Sequence, residues 1–297
     1  MNRRTWFLPL ILVLAGCAGG WKSVELAREY YNLGNAYYDL GEYGRAADYL
    51  ARAVELDKDF PKARFNLAMA LVRDGRAVLG EEIFRDLLTK DPQNLNLAEG
   101  LAFSLYVQGR QEEAVRAYRD ILALEPGNGA ARYNLGVLFW QREQREEALQ
   151  EFMRLLESDP EDMAALFNTG KLLFELDRYK EAAGKVEEYL QAEPGDTDAY
   201  MLLAAVYEVE ERYDRALEAY DRALLFDETR AEAWFFSAQI LLTEVEDPAR
   251  GLDALGQALV LGYDDGERIK SLLDSPVLLA REKVEALFAE SGLLPES

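Results

Sequence analysis

Four asparagines recur at one position of a 34-residue period: Asn32, Asn66, Asn134 and Asn168. A side-chain amide offers one acceptor and two donors, so it can bond both polar groups of a peptide unit. Large apolar groups stand one position earlier, at Tyr31, Phe65, Tyr133, Phe167, Met201 and Phe235. More stand six positions later, at Tyr38, Tyr106, Trp140 and Phe174. Amides gripping a backbone beside exposed rings that pocket its side chains is the chemistry of holding an extended segment. Gly100 interrupts the amide series, and Leu202 and Phe236 end it. The first five copies therefore suit a polar peptide, and the last two a more apolar surface.

Composition removes other chemistries. There is no histidine, the commonest general base and metal ligand, and Cys17 is the only cysteine. No glycine-rich phosphate loop is present, and Asp264-Asp265-Gly266 lacks the following ligands of a calcium loop. Acid pairs such as Glu146-Glu147 and Glu187-Glu188 fall on exposed helix faces and read as solvated surface. The net charge of −22 would repel phosphates, so no nucleic-acid partner is expected. We expect no enzyme, no cofactor and no metal.

The period that spaces the amides runs six times without insertion from Ala27 to Arg230, followed by a damaged seventh copy. One slot reads Gly34, Ala68, Ala102, Gly136, Gly170, Ala204, Ala238. Another, twelve residues on, reads Ala46, Gly80, Ala114, Ala148, Ala182, Ala216. Small residues at fixed places let two helices approach closely, so each copy reads as a packed helix pair. Core slots follow at spacings of three and four: Tyr30, Leu166, Tyr200, Trp234; Leu33, Leu67, Leu101, Leu135; Tyr37, Leu71, Leu105, Phe139, Leu173, Tyr207, Leu241. The second helices add Leu50, Phe84, Tyr118, Phe152, Val186 and Tyr220. Joints such as Asp91-Pro92-Gln93-Asn94 and Glu193-Pro194-Gly195-Asp196 stop one helix and cap the next. Gly41, Gly75 and Gly109 mark turns inside the first three copies. No alternating strand pattern competes, so the chain is all-α.

Tyr30-Tyr31-Asn32-Leu33-Gly34-Asn35-Ala36-Tyr37-Tyr38 resembles the tetratricopeptide repeat signature, W-x2-L-G-x2-Y. The resemblance covers about 27–260. It implies a right-handed superhelical solenoid of about seven helix pairs whose concave groove is lined by the first helix of each pair. The asparagines then look like the ladder of the O-linked N-acetylglucosamine transferase repeats. On this reading the groove is Tyr31, Asn32, Asn35, Tyr38, Phe65, Asn66, Phe103, Tyr106, Tyr133, Asn134, Trp140, Phe167, Asn168, Lys171 and Phe174. The family's carboxylate clamp would need basic residues where Tyr31, Asn96 and Gly100 stand, so a chaperone tail is disfavoured.

Arg3 and Arg4, the apolar run Trp6 to Leu14 and Leu14-Ala15-Gly16-Cys17 describe a secretory signal. The run is too short to span a bilayer. Leu-Ala-Gly-Cys resembles the bacterial lipobox, which implies cleavage before Cys17 and a lipid on its sulfur; an ordinary signal with an incidental cysteine is the alternative. Ala18 at the next position points to an outer-membrane lipoprotein facing the periplasm. From Cys17, the stretch to Lys22 is a short tether of roughly 17 Å. The segments are thus 1–16 signal, 17–22 lipidated tether and 23–262 array. The repeats lie near 27–60, 61–94, 95–128, 129–162, 163–196, 197–230 and 231–262, followed by 263–297 as C-terminal capping helices. Within the last segment, helices are expected at Glu267–Leu273 and Val277–Ser291, parted by Asp274-Ser275-Pro276.

The expected function is a lipid-anchored periplasmic adaptor. It would bind a protein or peptide partner and gather an envelope-assembly, secretion or cell-wall complex, as in lipoproteins of this family serving pilus assembly, murein hydrolase scaffolding and polysaccharide export. The alternative is a subunit that holds a small molecule or glycan against the same aromatic rings in a transport or polysaccharide-export system.

Overall fold

The computed structural model describes residues 23–294; the signal, Cys17 and the tether lie outside them. The described residues are all-α, with sixteen helices and no strand. Their contacts divide into two compact units, one reaching Leu138 and one starting at Phe139.

The first unit holds α1 (Ser23–Asp39), α2 (Tyr43–Leu56), α3 (Pro61–Arg73), α4 (Ala77–Lys90), α5 (Leu95–Val107) and α6 (Gln111–Leu124). The boundary falls inside α7 (Gly129–Gln141). From α1 to α6 each helix packs on the next in sequence, and α1, α3 and α5 also touch in turn. The small slots explain the close approach. A Cβ on Gly34 would lie 2.6 Å from Leu50 Cγ, and one on Gly80 would lie 2.7 Å from the Ala68 carbonyl oxygen. Leu33 departs from its expected core role and is 39% exposed. It sits on α1, where no described helix precedes it to cover that face.

The second unit continues with α8 (Arg145–Ser158), α9 (Met163–Glu175), α10 (Tyr179–Ala192), α11 (Thr197–Val209) and α12 (Tyr213–Phe226). It ends with α13 (Ala231–Thr243), α14 (Pro248–Val260), α15 (Gly266–Asp274) and α16 (Arg281–Glu290). The joints work as their residues demand. Asp162 and Asp196 accept from the Ala165 and Ala199 amides at 2.8 and 2.9 Å, as Asn94 and Asn128 do in the first unit. Ile269, Leu272, Leu278, Val284 and Phe288 join Phe235, Leu242 and Leu255 in one buried cluster. This gives the last repeat helices an apolar cover.

The final helix begins later than expected. Val277–Ser291 shortens to Arg281–Glu290 because the chain first drops Leu278 into that cluster. Leu279 N–H then bonds the Leu242 carbonyl at 3.0 Å, and Ala280 turns through a left-handed conformation with φ 50°.

Candidate functional site

In the first unit the amides and rings converge on the shared face of α1 and α3. A pocket of about 350 Å³ there is lined by Asn35, Tyr38, Asp39, Phe65, Asn66 and Met69. Asn66 Nδ2 donates to Asn35 Oδ1 at 2.7 Å and to the Tyr31 hydroxyl at 3.3 Å. Both its N–H groups are thus spent on the neighbouring repeat. A ligand is left the Asn66 carbonyl oxygen and the Asn35 amide hydrogens, which together still match one peptide unit. Asn66 therefore also helps to hold the fold, by tying α3 to α1.

The rings are set by packing underneath. Tyr31 lies 4.9 Å from Phe60, Tyr38 sits edge-on to Tyr43 at 5.2 Å, and Phe65 sits edge-on to Phe84 at 5.6 Å. All three remain half-buried, with part of each ring open. Asn32 is exposed; Tyr133 and Asn134 are half-buried on α7. Phe103 and Tyr106 pair at 6.0 Å, and the Arg73 guanidinium lies 4.8 Å over Phe103.

The gap in the amide series has a steric cause. A Cβ on Gly100 would lie 2.4 Å from the ring of Phe84, which is fully buried. No asparagine fits there unless that core ring moves.

In the second unit, Lys171 Nζ lies 5.2 Å from the Trp140 ring centroid and 5.8 Å from that of Phe167. Trp140 Nε1 donates to Glu175 Oε2 at 3.1 Å, and the same oxygen accepts from Arg145 Nε at 2.8 Å. The indole is held edge-on by a carboxylate while its face meets a cation. Phe167 and Phe174 rest on Tyr189 and Tyr179. Asn168 is half-buried and already engaged within the protein.

Phe235 does not belong to this face. It is fully buried and stacks on Tyr263 at 4.0 Å, so the C-terminal segment covers the site expected to be open in the seventh copy. Phe236 stays half-buried beneath the Arg268 guanidinium, at 5.3 Å.

Sequence reasoning missed Asp39 and Met69. Both were findable: Met69 is the 34-residue equivalent of Asn35, Phe103 and Lys171, and Asp39 that of Arg73 and Glu175. Two turns of helix beyond the asparagine slot, seven residues on, return to the same face. Among the described residues, no cluster of three or more His, Cys, Asp or Glu could hold a metal ion. No described helix is long and apolar enough to cross a membrane.

A tetratricopeptide repeat family model matches residues 31–94, 100–154 and 138–197, and a second matches 173–240. No curated protein matches the chain. Among solved structures, the chain is similar to PilF of Pseudomonas aeruginosa (22% identity, TM-score 0.58), over 73% of this chain and 99% of that one. YrrB, a repeat protein of this kind with an unusual peptide-binding site, is 20% identical with TM-score 0.58, over 63% of this chain and 96% of that one. A repeat protein from Parabacteroides merdae is 19% identical with TM-score 0.54, over 88% and 99%. Identities this low carry the fold alone. With the helix pairs, the small-residue approach and the family matches over more than half its length, the chain belongs to the tetratricopeptide repeat family.

Proposed function

We propose that this protein is a peptide-binding adaptor that uses the shared face of α1 and α3 to hold an extended segment of a partner protein. The observation that carries this is the pocket on α1 and α3, where an amide acceptor and an amide donor stand side by side between half-open rings. A protein of the same fold, YrrB, is described as having a peptide-binding site, which supports the reading. Peptide is favoured over glycan because many of the rings are partly taken up by edge and face contacts within the protein. Sugar stacking needs whole faces free.

We further propose that Cys17 carries a lipid that anchors the protein to an envelope membrane, with the array in the periplasm. There it would gather components of an assembly, secretion or cell-wall complex. The support is the sequence ahead of Cys17. Fractionation of Cys17→Ser tests it: the variant should leave the detergent-extracted membrane fraction, as soluble or unprocessed protein. Normal processing and continued membrane association of the variant would refute the anchor.

A further inference from the structure

Of the residues lining the pocket on α1 and α3, only Asp39 carries a charge. It is the last residue of α1, whose final turn holds no base. The helix dipole disfavours a carboxylate at that end. Asp39 is exposed, and it makes no hydrogen bond or ion pair among the described residues. The fold therefore draws nothing from its charge.

The same slot is settled in other copies. Glu175 accepts from Trp140 Nε1 and Arg145 Nε, so its charge is used within the protein. Arg73 has the sign that the end of a helix favours, and its guanidinium lies over Phe103, one repeat further on. Val107, Gln141, Val209 and Thr243 are uncharged. Free carboxylates are common on a chain of net charge −22. Asp39 differs by its place in a pocket whose other walls include the half-buried Tyr38, Phe65 and Met69.

With the Asn66 carbonyl oxygen and the Asn35 amide hydrogens matched to a peptide unit, the side chain beside that unit meets the rings and Asp39. An acidic side chain would be repelled. An aliphatic one would take the carboxylate from water and leave it unpaired. A basic side chain fits each wall: its methylene stem can lie along Met69 and the rings, and its charge can meet the carboxylate and a ring face. The acidity of the whole chain draws basic segments in the same direction.

We infer that this pocket takes a lysine or arginine side chain of the partner, with Asp39 setting the preference; the inference rests on the peptide-binding reading of the α1 and α3 face.

The test titrates the full chain with three pools of short capped peptides. Each pool is randomised among uncharged residues except at the central position, which is lysine, norleucine or glutamate. The readout is the methyl resonance of Met69. The lysine pool should shift it saturably and bind roughly three- to tenfold more tightly than the norleucine pool, with glutamate weakest. Asp39→Asn should bring lysine and norleucine to parity, and Asn35→Ala should weaken both pools by the same factor. Equal affinities of these two pools for the parent, or a lysine preference that survives in Asp39→Asn, would overturn the inference and leave the peptide reading standing. No saturable shift with any pool would overturn both. A preference that depends on Asp39 in a protein indifferent to Asn35→Ala would support the basic pocket and overturn the grip on the backbone.

Discussion

Glu143, Asp177 and Glu211 hold φ of 58°, 58° and 57°, the left-handed turn that Gly41, Gly75 and Gly109 make in the earlier copies at 75°, 82° and 74°. The turn is required because the next N–H must reach back five residues, as Arg178 does to Leu173 and Arg76 to Leu71, at 2.8 Å each. A side chain in this conformation costs about 1–2 kcal/mol, and the extra freedom of glycine in the unfolded chain costs about 0.4–1. Glu211→Gly should therefore raise the unfolding free energy by up to about 1 kcal/mol, and Gly75→Ala should lower it by about 1. Paired denaturant titrations read both. The glycine turns were legible because glycine announces them. The acidic ones were not, since nothing but the period marks residues 143, 177 and 211 as turns.

Glu208 is a second case at this scale. Burial pushes its carboxyl up from the usual range, against the hydrogen bond from Tyr220 and the charge of Arg268. A raised carboxyl favours the protonated fold, so its contribution is fully present below the unfolded value of about 4.3 and is lost as pH rises through the folded one. Glu208→Gln keeps an acceptor for Tyr220 and removes the charge. The variant should melt higher than the parent at pH 7 to 8, with the gap closing toward pH 4. A gap that does not depend on pH would show that ionisation of Glu208 is irrelevant to stability.

At the scale of the helix, the pairs are decided by where bulk is missing. Ala148 is fully buried, while Glu146 on the same helix α8 is exposed. Ala148→Leu should overpack α8 and destabilise by about 1–3 kcal/mol or more. Glu146→Leu should stay within about 0.5 kcal/mol. Equal melting temperatures would contradict the packing described. Helix existence, joints and small slots were readable from the sequence because each rests on a local constraint: proline at Pro92 or Pro194, a cap at Asp196, no room at Ala148. The start of α16 was not, because it is fixed at a distance by the Leu279 bond to Leu242 and by the burial of Leu278. The same distance explains Gly100, read as a break in a binding series and shown to be the seat of the Phe84 ring.

Across the whole molecule, one period sets both the core and the residues offered to a partner, so departures from it carry the information. Asn35, Met69, Phe103 and Lys171 share one slot and yet differ in chemistry, which fits a face that reads side chains as well as backbone. The candidate residues were legible as a set. Their division of labour was not: Asn66 spends its donors on Asn35 and Tyr31, a pairing between repeats that no single copy displays. The central claim is that the shared face of α1 and α3 holds an extended peptide. Site-specific photo-crosslinking tests it most directly, with a benzophenone side chain placed at Tyr38 on α1 or at Glu146 on α8 in the full chain, in the cells that make it. The account predicts discrete protein adducts from position 38 and none of them from position 146. The crosslinked segment, made as a peptide, should bind Asn35→Ala roughly two- to tenfold more weakly than the parent. Adducts shared by both positions, none from position 38, or an affinity indifferent to Asn35 would contradict it.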